Sequence, residues 1–402
     1  MDRLRILLIS AIALLYGCST SEVLIPYTVK LSTAQGPSDE SKSLDVAVVL
    51  FDPGVPDGEI DAKELEKLAT EDVFVQIRRT EAIQMAVQLR HALQKSGHWG
   101  SAWITPRPSV AADVNVTAEI LHSDGYKVSL DVTATDIAGH TWIAKRYEFD
   151  TAAAAYNRQR YAGLDPYQDL FNTIANDLAA AADALSPSET QQIKTVGALR
   201  YAEDMNAEAF GGYLAERSGT LAPQRLPALG DPLFERTQRV RQRERLFLET
   251  LDAHYENFAV ETSASYHDWR EHAREESITI QELQRGARWR KRLGAVILLG
   301  SLLYGGGNVS TFSERLIQNS LFFAGASLFD MGQTQTRERD IHAETLKELS
   351  ESFDEKAEPL VVDIAGVQHR LVGTADEQYA ELRQLLRQSF LEETGLAAPG
   401  SE

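Results

Sequence analysis

Few side chains in this 402-residue chain have the type and spacing to do chemistry, and the only thiol, Cys18, is the most distinctive of them. It ends an apolar run, Ile6 to Tyr16, that follows Asp2, Arg3 and Arg5. A charged start, an apolar stretch of roughly 7–15 residues and a small residue before the cut mark an export signal. The run falls short of the about 20 apolar residues that a membrane-spanning helix needs. A lone cysteine in an exported chain has no disulfide partner of its own. His267 and His272 lie five apart with Glu271 and Glu275 nearby, which is either half of a metal site or a pair of surface histidines on a charged helix. Asp363, Asp376 and Glu377 have no companion at a spacing that suggests paired carboxylates. The sequence contains no Gly-x-Ser-x-Gly, no His-Glu-x-x-His and no Gly-Lys-Ser phosphate loop. It therefore gives no catalytic residues, no metal ligands and no cofactor to expect.

Leu15-Tyr16-Gly17-Cys18 resembles the bacterial lipobox, although Tyr16 stands where that family usually has a small residue. The resemblance implies that the chain is cut before Cys18, that the thiol is diacylated and that the new amine is acylated too. An ordinary signal peptide is the other reading. Ser19 after the cysteine resembles the outer-membrane class, which implies a body held at the periplasmic face of the outer membrane. Several acyl chains, at roughly 0.8 kcal/mol per buried CH₂, make such an anchor stable.

Cleavage there would remove Asp2, Arg3 and Arg5 and leave 38 basic against 58 acidic residues, a net charge of −20. That balance argues against nucleic acid, whose binding depends on neutralising phosphates with Lys and Arg. Residues 18–43 read as anchor and tether. Within them Leu24 to Val29 is either a short edge strand, Pro26 excluding a central one, or disordered linker.

The elements begin in earnest at Leu44. Leu44 to Phe51 is a nearly continuous apolar run, as in a strand covered on both faces. A helical pattern follows through Ile83, Ala86, Val87 and Leu93, with Gly97 to end it. Ala102 to Thr105 reads as a strand between Trp99 and Pro106. Val114 to Leu121, Tyr126 to Asp136 and Thr141 to Phe149 alternate with period two and are joined by Asp124-Gly125 and Gly139 turns, the hairpin signal. Residues 44–150 thus read β-α-β-β-β-β, one helix on an antiparallel or mixed sheet. The residues Leu89-Arg90-His91-Ala92-Leu93, Asp113 to Ile120 and Asp136-Ile137-Ala138-Gly139-His140-Thr141-Trp142 resemble the small α/β domain of periplasmic lipoproteins associated with flagellar outer-membrane rings and curli secretion. That resemblance implies a self-assembling or partner-binding scaffold without catalysis.

Residues 151–230 read as helical. Asp165-Pro166 opens one helix, and Ser186-Pro187-Ser188-Glu189 opens another that runs to about Phe210. Tyr213 to Arg217 continues it before a loop over Ser218 to Asp231. Residues 231–358 read as long helices, charged from Leu233 to Leu283 and then apolar in two runs that form a helical hairpin over 293–331. The basic cluster around Trp289, Arg290, Lys291 and Arg292, with Gly300, Tyr304, Phe322 and Phe323 in the runs, supplies the candidate membrane or oligomer contact. Buried core, an oligomeric or membrane-facing collar, and a re-entrant bilayer element remain alternatives. Residues 359–395 read as a β-hairpin and a closing helix, and 396–402 as a disordered tail.

The fold class expected is α+β: a small N-terminal α/β domain, a mainly helical domain with the apolar hairpin, and a C-terminal hairpin plus helix. The expected function is a non-enzymatic, lipid-anchored periplasmic scaffold of the Gram-negative envelope. Its partners would be the membrane through the lipid, and an envelope protein or further copies of itself. A lipid carrier using a groove around 293–331 and an envelope hydrolase are the alternatives.

Overall fold

The computed structural model describes residues 24–34, 43–56, 60, 61, 63, 64, 67, 68, 73–303, 360–364 and 367–395, the side chains of 280–303 and 360 excepted. The fold is α+β. Strand β1 (Val46–Val49) leads through helix α1 (Val75–Ser96) to β2 (Ala102–Thr105), and then come β3 (Val114–Ser123), β4 (Lys127–Asp136) and β5 (Thr141–Asp150). The sheet order is β2-β1-β3-β4-β5. β1 is parallel to both β2 and β3, while β3, β4 and β5 are antiparallel. The α1 crossover permits the parallel pairs, which cannot be joined by a tight turn. All four residues of β1 are buried, as its continuous apolar run requires, whereas β3 alternates. Gly97, at φ 69°, closes α1 in the left-handed conformation.

Helix α2 (Gln168–Asp183) packs beside α1 and against β5. Asp165, the expected cap, lies two residues before the observed one, Tyr167, whose amide it receives at 2.8 Å. Helix α3 (Pro187–Met205) opens on the expected cap, Ser186 and Glu189 bonding each other's backbone amides. It stops at Met205, earlier than Phe210, because Asn206 leaves helical geometry and caps a separate turn, α4 (Ala207–Phe210). The expected helix at Tyr213–Arg217 and loop at 218–231 are corrected to a hairpin, β6 (Leu214–Arg217) with β7 (Thr220–Pro223). Its two turn residues, Ser218 and Gly219, have φ 56° and 84°, the positive pair that a two-residue hairpin turn of the favoured twist demands.

Helix α5 (Pro232–Leu303) is 72 residues long. The charged segment and the first apolar run as far as Leu303, expected as separate helices, are one helix through Gly286, Gly294 and Gly300. The hairpin β8 (Leu360–Ile364) and β9 (Val367–Leu371) and helix α6 (Ala375–Thr394) complete the described chain. Tyr379, Leu382, Leu386 and Phe390 are the buried stripe of α6. One core joins the sheet, α1, α2, α3, α6 and the first half of α5, from Val46 and Leu93 to Phe247, Tyr255 and Phe390.

Candidate functional site

Helix α5 binds the rest of the protein through a succession of buried polar contacts. Near its start Arg241 donates to Ala111 O at 2.9 Å and to Asp113 Oδ1 at 3.0 Å, and Arg245 pairs with Asp45 at 2.6 Å. Burial raises the Asp45 carboxyl, with Arg245 opposing it. Glu244 is fully buried and accepts from the Tyr201 hydroxyl at 2.8 Å, the Tyr379 hydroxyl at 2.6 Å and Arg383 at 3.1 Å. That one carboxylate joins α3, α5 and α6. Asp252 accepts the Ile104 amide at 2.9 Å, so a helix side chain satisfies a backbone group of β2, the last strand in the sheet order.

Further along, Gln84 donates to Ala259 O and Thr262 Oγ1, both at 2.7 Å. Glu81, wholly buried, accepts from Ser123 Oγ at 2.5 Å and Tyr266 Oη at 3.1 Å. Burial pushes its carboxyl above the usual range, with Arg78 the strongest opposing charge. Arg270 makes a forked pair with Asp165, at 3.0 and 2.8 Å. Its guanidinium lies 4.1 Å from the Tyr266 ring centre and 4.8 Å from that of Tyr167. The β3–β4 turn closes on the same place: a Cβ on Gly125, at φ +77°, would stand 2.0 Å from Arg270 O. Arg274 Nε donates to Thr151 O at 3.2 Å and Ser277 Oγ to Asp124 O at 3.4 Å.

The partners on α1 descend from Arg90 to Gln84 to Glu81 as α5 ascends from Asp252 to Thr262 to Tyr266, so the two helices run antiparallel. α5 therefore passes beside the β3–β4 turn at Arg270 to Ser277. About 26 residues follow Ser277 before the helix ends at Leu303, roughly 39 Å at 1.5 Å per residue.

The described N-terminal residues enter at that same end. Residues 24–34 form neither the expected edge strand nor a structureless linker; they are a strap bonded by backbone to side chains of α2. Asp169 accepts the Thr28 and Val29 amides at 2.8 and 3.1 Å. Asn172 donates to Val29 O at 2.9 Å, and Asn176 holds Lys30 O and the Ser32 amide. Tyr27 packs on Tyr161, with ring centres 4.8 Å apart, and donates to Ala155 O. A groove of about 440 Å³ runs between Leu24, Ile25 and Pro26 of the strap and Lys127, Phe149 and Asp150. Asp169, Asn172 and Asn176 carry no apolar signal; their three-and-four spacing, a polar line along one face of the helix, is the sign that could have revealed the strap.

Trp289, Arg290, Lys291, Arg292 and Gly300 lie on the distal part of α5. Cys18, Tyr304, Phe322, Phe323 and the second apolar run lie outside the described residues. Of the histidine pair, His267 is drawn together with Asp268 and Glu271, their ligand atoms within 4.8 Å of one another. Arg158 already occupies that corner, donating to His267 Nδ1 at 3.1 Å and to Asp268 at 2.6 Å. Burial, then Arg158 and Arg270, hold the His267 ring down at about 4. His272 turns to Asp268 O at 2.7 Å. Asp376 pairs with Arg107, and Glu377 caps the first turn of α6. Among the described residues, no helix is long and apolar enough to cross a membrane.

No family model, curated protein or solved structure matches the chain.

Proposed function

We propose that this chain is a non-enzymatic scaffold of the Gram-negative envelope, acylated at Cys18, held at the periplasmic face of the outer membrane and built to carry a rigid helical arm. The observation that supports this most is the continuity of α5. A single helix begins in the body's core, is fastened to it from Arg241 to Ser277, and continues through the basic cluster into the apolar run. The buried carboxylates along it are spent on position: Glu244 on two phenols and a guanidinium, Asp252 on a strand amide, Asp165 on Arg270. Such contacts fix the direction of a rod, and a rod fixed to an anchored body is a means of reaching a partner. The lipid carrier and the hydrolase remain alternatives that no described contact favours.

The test has two arms. Cells given an alkynyl fatty acid should label the wild-type chain and not Cys18→Ser; no label on the wild type overturns the anchor. Mild detergent extraction should recover the chain in an assembly well above its own 44.5 kDa. Recovery as a lone monomer overturns the scaffold.

A further inference from the structure

The two edges of the five-stranded sheet are finished differently. β2, four residues long, runs beside α5, and Asp252 takes its Ile104 amide. β5, at the other edge, is ten residues long, and Ala144, Lys145, Arg146, Glu148 and Asp150 are exposed along it. The Thr151 amide donates to Tyr126 O, on the β4 side, at 2.7 Å. Amides alternate in direction along an antiparallel pair, so those of Ala144, Arg146, Glu148 and Asp150 point away from β4, toward the outer edge of the sheet. Side chains alternate as well. Tyr147, bonded to Asp177 of α2, shares one face with Phe149, while Glu148 and Asp150 lie on the other. The groove beside the strap is lined by Phe149 and by Glu148 and Asp150 together, from both faces of the strand, so it follows the edge of β5 itself. Its other wall is the strap, where Leu24 and Ile25 are 37% and 72% exposed.

We infer that the β5 edge from Ala144 to Asp150 takes an extended segment of a basic partner protein as a sixth strand, and that the part of the segment opposite Glu148 and Asp150 lies in the groove against the strap. In such an addition the backbone ladder supplies the affinity and alternate side chains the specificity. Charge selects the occupant. Lys145 is paired with Asp177 and Arg146 with Asp131, at 2.9 and 2.8 Å, whereas Glu148 and Asp150 enter no ion pair among the described residues. Lys127 is the one cation among the described residues that line the groove, against Glu148, Asp150 and Asp169, and Asp169 is turned to the strap amides. On the outer face the segment therefore presents Lys or Arg opposite Glu148 and Asp150. At the alternate positions it presents apolar side chains to Phe149, Leu24 and Ile25. Opposite charges directly across a strand pair stabilise it, and like charges oppose it. A second copy of the chain is the poorer occupant, because each copy carries a net charge of −19 and like charge keeps chains apart. The site involves neither Cys18 nor α5, so it stands or falls apart from the function proposed above.

The full chain is titrated with a short end-capped peptide that alternates lysine and valine, followed by fluorescence anisotropy, and with the same peptide carrying glutamate in place of lysine. The lysine peptide should bind at least about tenfold more tightly, and the double variant Glu148→Lys, Asp150→Lys should reverse that order. Failure of the lysine peptide to bind, equal binding of the two peptides, or an order that the double variant leaves as it was overturns the basic segment. Hydrogen exchange locates the strand. At saturation with the lysine peptide the Arg146 and Glu148 amides should slow by at least about tenfold while those of β2 stay as they were. Binding without that protection overturns the edge as the site. An added strand uses every second one of its amides in the ladder, so methylating the lysine amides and methylating the valine amides should abolish binding in one case only. Any other result overturns the ladder. Arg146 and Glu148 amides that already exchange slowly in the free chain would mean that the edge is filled by the chain itself or by a second copy, and would overturn the partner.

Discussion

The two halves of α5 differ in composition, the first charged and the second basic and then apolar, and composition does not show what holds the first. From Arg241 to Ser277 the helix looks solvated by composition, yet Glu244, Arg241 and Arg270 are buried, along with Leu248, Tyr255 and Tyr266. Beyond Ser277 the sequence turns first basic, from Arg285 to Arg292, and then apolar from Leu293. Hydrophobicity therefore does not say how the first half is bound. What binds the first half is pairing across large sequence separations: Glu244 to Tyr379, Asp252 to the Ile104 amide, Arg270 to Asp165. Buried charges are costly unless fully paired, so each pair admits one register of the helix against the sheet and few others. The proximal half is a specified joint.

Breaking the joint should have the largest effect. Arg270→Ala would leave Asp165 in a largely buried site without its cation and remove the group between two tyrosine rings. Removing one partner of a buried pair costs about 3–5 kcal/mol, so chemical denaturation should show a fall of that size. An unchanged midpoint would mean that the joint is held by its apolar contacts alone. Gly125→Ala comes next. A methyl group would meet the backbone of α5 and also strain the left-handed turn, whose cost alone is about 1–2 kcal/mol. We expect a total destabilisation of about 2–4 kcal/mol by the same measurement, as the turn is pushed away from α5 and the hydrogen bond from Ser277 to Asp124 O breaks.

These sites also show what the sequence reveals and what it hides. The β-α-β-β-β-β order of residues 44–150 is legible because alternation and turn chemistry are local: Val114 to Asp136 carries both in one short stretch. So are Gly97 as a helix end and Ser186 with Glu189 as a helix start. The β6–β7 hairpin is harder, since no residue of Leu214–Arg217 or Thr220–Pro223 is fully buried, Glu216 and Arg217 are exposed, and neither strand alternates. Ser218-Gly219 is its one local sign. The strap is hidden for another reason. It forms no ladder, and its backbone is held by three side chains about 140 residues later in the chain. The joint is hidden most completely, because charge at three-and-four spacing is read as a solvated face until the partners are known.

A smaller effect should follow from cutting the strap. Asp169→Ala removes the acceptor for the Thr28 and Val29 amides but touches no contact of α5. Hydrogen exchange at those two amides should speed by at least tenfold, while the global unfolding free energy changes by about 1 kcal/mol or less. A fall as large as that of Arg270→Ala would show that the strap belongs to the joint.

The smallest expected effect is a slope with pH, and it tests how tightly the corner beside the joint is closed. His267 is held at about 4, below its ordinary 6.5, by burial and by the Arg158 and Arg270 guanidinium groups. A lowered value means that the unfolded chain takes up a proton more readily than the folded one between those two values. Stability contributed by the neutral ring is then complete above about 6.5 and is lost as the pH falls toward 4, the region where the folded ring at last protonates. Glu81 and Asp45 have the opposite sign. Their carboxyls are raised by burial, so their contribution is greatest below the ordinary carboxyl range and declines as the pH rises through the raised values. His267→Gln should flatten the stability curve between pH 6.5 and 4 and leave the carboxyl-driven part as it was. The ring proton shifts of wild-type His267 should titrate near 4 in the folded protein, and a midpoint near 6.5 would show that Arg158 and the surrounding burial do not close that corner.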